Sequence, residues 1–327
     1  MKVILPLIAS ILISACSRDI PQLKALKSFQ FLATSLLEAD ISDDASILAL
    51  LSVDTISVWS IETRELIQRW ELETLKGHQY FVSLSKNKQF VASADKNKVT
   101  IFDLRTKEIK STWNINGFSS LSKITSLKLN DDGKKIFIGL NEGTIVQIDL
   151  NNNTKSLFKM HSSNVSFLEL AENGKYVLSA SVDGSVILFN TSTGNKLSSV
   201  QANTRITSLV LDYQSSQFFY SDALNKHQVI DLKNSTVISS LNYFERFKYF
   251  RKGIFINEGK KLFNSTPKNQ LAIWDIKTGK QVQKGNIKSL SFGSTVLDVA
   301  LKENNDVLTI SSDGIIETWH ISENSQI

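Results

Sequence analysis

Cysteine occurs once in the 327 residues, at Cys16, and histidine four times, at His78, His161, His227 and His320. A single thiol excludes an internal disulfide and every CxxC metal or redox motif. The histidines sit in unrelated sequence surroundings, with no HExxH and no HxH, which excludes the common zinc spacings. Triplets of Asp, Asn and Gly such as "NDDG" never continue to the glutamate that closes an EF-hand loop, and they read as tight turns. A GxSxG elbow and a P-loop are both missing. The expectation is therefore a protein with no metal, no cofactor and no catalytic residues. Strong charge of either sign is also lacking: the net charge is +5, and 42% hydrophobic with 21% charged residues is an ordinary globular balance. Such a balance does not call for a nucleic-acid partner.

The N-terminal apolar stretch, Val3 to Ile13, is shorter than the about 20 residues a membrane-spanning helix needs. Behind Lys2 it has the length of a secretory signal h-region, followed by the small residues Ser14 and Ala15. The next residue is the lone cysteine. The run Ile13-Ser14-Ala15-Cys16 resembles the bacterial lipobox. That resemblance implies diacylglyceryl attachment to the Cys16 sulfur, cleavage before Cys16, and acylation of the new amine, palmitate-like chains providing the anchor. Two or more acyl chains hold a protein stably where one is marginal. A mature envelope protein without a second thiol also has nothing to mispair in an oxidising compartment. Ser17 stands where Asp would retain many lipoproteins at the inner membrane, so the resemblance places the chain on the outer membrane, facing the periplasm. Removal of residues 1–15 leaves 312 residues and, with Lys2 gone, a net charge of +4. On this reading residues 16–24 form a lipid-anchored tether and residues 25–327 one folded domain.

Within that domain one unit recurs. The run "GTIVQIDL" (143–150) returns as "TISVWSI", "KVTIFDL", "SVILFNT", "KHQVIDL", "QLAIWDI" and "IIETWHI". The bulky residue before the polar one is Trp59, Phe102, Ile148, Phe189, Ile230, Trp274 and Trp319, at spacings of 41 to 46 residues. About fifteen residues before each marker stands a hairpin turn, at Asp44, Asn87, Asp132, Asn173, Gln214, Glu258 and Asn304, flanked by apolar alternation. A second turn precedes the marker strand, as in "NEG" (141–143), "VDG" (182–184) and "SDG" (312–314). Chance does not keep two turn columns in step seven times.

This pattern resembles the WD40 repeat, which has a period of about 40–45 residues and four strands per blade. The resemblance implies an all-β, seven-bladed propeller with four-stranded antiparallel blades. "IWD" at 273–275 matches the family's WD position outright, and Gly77-His78 and Met160-His161 retain its GH dipeptide in whole or part. The family's structural residues map here onto Trp59, His78, His161, Asp183, Trp274, Asp275, Asp313 and Trp319. Blade four keeps His161, Ser179 or Ser181, and Asp183, but has Phe189 for Trp, and no blade carries the complete set. The chain ends soon after the seventh marker, whereas "LKALKSFQFLAT" (23–34) is a strand-like segment ahead of the first complete blade. That segment is expected to supply the fourth strand of blade seven and close the ring.

Long loops on a rigid ring are where function is placed. The longest are 116–123, the stretch "NYFERFKYFRKGIF" (242–255) and 289–294. Aromatic residues and arginine dominate binding hot spots, which selects Phe118, Arg205, Phe244, Arg246, Phe247 and Phe292 as a partner-binding rim on one face. The second half of 242–255 also reads simply as an inner strand. The leading expectation is a monomeric, non-enzymatic scaffold for envelope proteins, without nucleic acid. A second resemblance is to the propeller lipoprotein of the outer-membrane β-barrel assembly machinery, although that family is eight-bladed with a regular Trp column. A periplasmic enzyme such as a lactonase or quinone-dependent dehydrogenase, its site assembled from distant loops, is the rival of a different class.

Overall fold

The structure is a computed structural model that describes residues 20–75, 77–243 and 249–321. Among these residues there are 28 strands, arranged as seven four-stranded antiparallel sheets. Blade 1 shows the plan, with β2 (Leu36–Ile41), β3 (Ile47–Ser52), β4 (Thr55–Ser60) and β5 (Leu66–Glu71) paired in that order. The first strand of each blade lines the central axis and the fourth lies outermost. Every marker run is a third strand. Those strands are apolar and buried on both sides, as in Gln270–Asp275 with four buried residues in a row, because each blade is packed between two neighbours. Outer strands alternate instead: "LIQRWE" has one side in water.

The polar residue after each marker has a local cause. Asp103, Asp149, Asn190, Asp231 and Asp275 each accept N–H bonds two or three residues ahead, at 2.8 to 3.2 Å, and so fix the turn into the outer strand. Asp275 is thus a turn cap rather than a member of a buried network. The bulky partner, Trp274, is 1% exposed and donates Nε1–H to Asn264 at 3.2 Å; Trp319 does the same to Thr309 at 2.9 Å and Trp59 to Ser57 at 2.9 Å.

Blade 7 is composite, as the sequence predicted. Strand β1 (Ala25–Gln30) pairs antiparallel with β28 (Ile315–Trp319), which pairs with β27 (Val307–Ser311) and β26 (Val296–Leu301). The closure begins earlier than expected. The Leu23 amide donates to the Lys284 carbonyl at 2.6 Å and the Lys284 amide to Pro21 at 3.1 Å, so the segment read as tether lies in part along β25 (Lys280–Asn286), the outer strand of blade 6. Leu23 is 6% exposed and packs among Ile287, Trp319 and Ile321 at the seam between blades 6 and 7. Gly285 permits the approach: a Cβ there would lie 2.9 Å from the Leu23 carbonyl oxygen and 3.0 Å from its Cβ.

Around the axis, side chains of the innermost strands stitch one blade to the next. Asp298 accepts the Ile41 amide at 2.8 Å (blade 7 to 1) and Asp40 the Leu84 amide at 2.6 Å (1 to 2). Ser83 accepts the Leu129 amide at 3.0 Å (2 to 3), Ser126 donates to the Val165 carbonyl at 2.8 Å (3 to 4), and Ser208 to the Arg251 carbonyl at 2.7 Å (5 to 6). Lys252 Nζ stands 3.9 Å from Asp298 across the junction of blades 6 and 7. A polar residue on an innermost strand thus satisfies a backbone group that the neighbouring sheet leaves unpaired at its edge.

Candidate functional site

The two flat faces of the ring differ in chemistry. One carries the hairpin turns between first and second strands. There Lys86 pairs with Asp43 at 3.0 Å, Lys88 with Asp44 at 2.6 Å, Lys134 with Asp132 at 3.5 Å, Lys175 with Glu172 at 2.9 Å and Lys260 with Glu258 at 2.8 Å. None of the exposed large apolar residues among the described residues lies in these turns. These five lysines are satisfied locally.

The opposite face holds the loops entering each blade and the turns before each marker strand. Here Phe118 (69% exposed), Leu121, Val182, Leu224, Leu290 and Phe292 (fully exposed) project into water. Partly or fully buried carboxylates hold these loops in place. Glu142 accepts the Phe118 amide at 2.9 Å, Asp183 the Ser162 amide at 2.8 Å, and Asp313 the Leu290 amide at 2.7 Å and the Ser291 amide at 3.2 Å. Burial alone would raise the Asp183 carboxyl, but hydrogen bonds from Ser185 and from the Ser162 amide outweigh it and hold the group at about 2. The same competition lowers Asp313 and Glu142. The backbone is pinned while the apolar side chain faces outward, an arrangement that reduces the ordering cost of binding.

Lys159 takes one of those carboxylates, Glu142, at 3.7 Å, and four other cations of this face are left without a carboxylate. Lys96, Lys123, Arg205 and Lys268 form no ion pair among the described residues, and Asp54 and Glu73 are exposed acids only on the side of blade 1. Arg205 stands at the mouth of the central channel with Val182, Tyr249 and Arg251, above a cavity of about 530 Å³. The channel walls carry Glu38, Asp40, Lys128, Glu169 and Lys252, and no histidine or cysteine lines them. Lys128 Nζ is 3.8 Å from Asp40 and Lys252 Nζ 3.7 Å from Glu38. Its hydroxyls at Ser83, Thr125 and Ser126 bond to main-chain atoms. Charges and hydroxyls there join different blades.

Of the predicted rim, Phe118, Arg205 and Phe292 lie on this one face and are exposed. Phe244, Arg246 and Phe247 lie outside the described residues, as does Cys16. The ends of that aromatic-basic stretch belong to the interior: Phe250 is fully buried, and Tyr243 packs on it at 4.9 Å between ring centres, with Trp274 and His227 close by. Leu121, Leu224 and Leu290 were missed because a search for aromatics and arginine passes over aliphatic side chains.

The WD40-type residues divide. In blade four His161 bonds Ser179 at 2.8 Å through Nε2 and Ser185 at 2.7 Å through Nδ1, and Asp183 accepts the Ser185 amide at 2.9 Å. Burial pushes the His161 imidazole down to about 4 against the opposing pull of Asp183. His78 is exposed, contrary to its assignment as a structural residue. In its blade the buried Gln79 accepts from Ser93 Oγ at 2.8 Å instead, an amide doing at Ser93 what imidazole does at Ser179.

A search of curated proteins found no match to this sequence. A protein-family model described as Vps42 beta-propeller matches residues 118–240, the stretch from Phe118 at the entry to blade 3 through the outer strand of blade 5. The repeat columns, the seven four-stranded sheets and that match over three consecutive blades make this chain a seven-bladed, WD40-like β-propeller.

Proposed function

We propose that this protein is a non-enzymatic scaffold of the bacterial envelope, anchored by lipid at Cys16, that binds another protein on the face bearing Phe118, Arg205, Leu290 and Phe292. The carrying observation is the contrast between the faces: the hairpin turns of one hold five local ion pairs and no exposed large apolar residue, the other presents pinned apolar side chains beside unpaired cations. Protein-binding surfaces combine such an apolar centre with arginine and a polar surround. The partner chemistry that fits is a segment with apolar and acidic side chains. Seven blades and the lack of a regular Trp column part the chain from the eight-bladed assembly-machinery propeller.

The binding face is tested by the variant Phe118→Ala, Arg205→Ala, Leu290→Ala, Phe292→Ala. Its thermal midpoint should stay within about 3 °C of the parent, since exposed side chains contribute within about 0.5 kcal/mol each. Crosslinked recovery of co-purifying envelope protein should fall at least about tenfold, as expected for loss of hot-spot residues. Undiminished recovery would place the binding surface elsewhere. The anchor is tested separately by intact mass: the mature chain should begin at Cys16 and carry acyl mass, and Cys16→Ala should abolish both.

A further inference from the structure

Two segments far apart in sequence meet at the outer edge of blades 6 and 7, and neither contains a carboxylate. Residues 20–37 and 276–297 include no Asp or Glu. They carry six lysines, all exposed and, among the described residues, in no ion pair: Lys24, Lys27, Lys277, Lys280 and Lys284 along the outer edge, and Lys288 in the loop after β25. The pairing of Pro21–Leu23 with Lys284 brings the segments side by side, β25 and β1 being the outermost strands of adjoining blades. Other outer edges carry fewer free cations: Arg69 pairs with Glu71 at 2.7 Å on blade 1, Glu108 stands among the cations of blade 2, on blade 3 Lys155 donates to the Asn116 carbonyl at 2.6 Å while Lys159 is 3.7 Å from Glu142, and the outer strands of blades 4 and 5, with the turns before them, bring only Lys196 and Lys233. Leu26, 59% exposed, stands between Lys24 and Lys27.

We propose that this edge is a docking surface for anionic phospholipid headgroups, and that it holds the propeller edge-on to the bilayer. The inference rests in part on the reading of Cys16 as the lipid anchor. Cys16 precedes Ile20 by four residues, a reach of at most about 14 Å. An acylated Cys16 therefore keeps the blade 6 edge, where the chain joins the ring, within one or two Debye lengths of the headgroups. Lysines attract anionic lipid at that range, and a basic patch acts as a second attachment beside an acyl anchor. Leu26 can enter the headgroup layer among them. Held this way, both flat faces remain open to the periplasm, and the binding face is not covered by lipid.

The test uses the full chain reconstituted into vesicles of phosphatidylcholine, with or without phosphatidylglycerol. Acetylation of Lys24, Lys27, Lys277, Lys280 and Lys284 should slow at least about fivefold in the anionic vesicles, with the protection lost at about 1 M salt, where screening is nearly complete. Lys86, Lys134 and Lys260 should react alike in both. The variant Lys24→Gln, Lys27→Gln, Lys280→Gln, Lys284→Gln should remove the protection of Lys277. Equal labelling in the two kinds of vesicle would overturn the proposal. Failure of the anchor reads out differently: a chain without acyl groups should not float with phosphatidylcholine vesicles, yet it should still float with anionic ones in a salt-dependent way.

Discussion

Deletion of residues 20–30 is expected to lower the thermal midpoint by more than about 10 °C, or to leave no cooperative transition. The deletion removes a five-pair ladder with β28, from Ala25 opposite Trp319 to Gln30 opposite Ile315, and strips the cover from the seam formed by Leu23. The strand left at the edge of blade 7 would present unpaired N–H and C=O groups to solvent and to other chains. Loss of Leu23 alone, as Leu23→Ala, should cost about 2–4 kcal/mol for a buried leucine in a packed seam. At about 2–4 °C per kcal/mol for a domain of this class, that single change already moves the midpoint visibly. Lys24→Gln with Lys27→Gln changes exposed residues of the same segment and should leave the midpoint unmoved. Scanning calorimetry of the three forms decides the matter: a deletion variant within 2–3 °C of the parent, about 1 kcal/mol, would mean that the ring does not depend on its closing strand.

A second large effect is expected on acidification, where two buried groups work against a third. His161 and His227 are each pushed by burial to about 4 from 6.5. Between those values the unfolded chain binds more protons than the folded one, so stability falls as pH drops from about 6.5 to 4. Asp298 behaves in the opposite sense: burial outweighs Lys252 and raises its carboxyl to about 7 from 3.8. Across that interval the folded chain holds the extra proton, and stability rises as pH falls from about 7 toward 3.8. At about 1.4 kcal/mol per unit of displacement, each histidine is worth up to about 3 kcal/mol, and the aspartate acts in the opposite sense. Urea midpoints at pH 7 and pH 4.5 resolve the contest. The double variant His161→Gln, His227→Gln should lose less stability on acidification than the parent, and Asp298→Asn should lose more. Identical pH responses in all three would show that these groups are solvated in both states.

Much of the architecture could be read from spacing because each blade repeats the same local physics. The marker strand is buried on both sides, so Trp59, Phe102, Phe189 and Trp319 recur as bulky residues whatever their identity, and the turn after it needs a carbonyl or carboxylate oxygen at Asp103, Asp149, Asn190 or Asp231. Seven occurrences average out the decay of any one. The strap on blade 6 left no such trace, since Pro21–Leu23 touches only Lys284 and neighbours through main-chain atoms and one leucine. The stitches around the axis were legible in principle, as polar residues at Asp40, Ser83, Ser126, Ser208 and Asp298 on strands otherwise apolar. Their partners are main-chain groups on another blade, however, and spacing along the sequence carries no record of those. His78 misled for a related reason. A dipeptide pattern fixes residue type, whereas the buried place beside Ser93 can be filled by any side chain offering an acceptor, and here Gln79 fills it.

The composite blade also sets the order of events in folding. Gln30 bonds to the Asp313 carbonyl across 283 positions, so β1 must wait for blade 7 to be synthesised before it can find its partner. Bringing such distant segments together costs about 5 kcal/mol in chain entropy by the loop-closure relation if nothing lies organised between them, and far less once blades 1 to 6 have stacked and fixed the two ends near one another. Folding should therefore proceed as an open arc that closes late, with the exposed edge of β28 available meanwhile for mispairing. Under the proposed anchor at Cys16, the closing strand would wait through the whole of export, and a membrane-held N-terminus would confine its search to the neighbourhood of the gap it must fill.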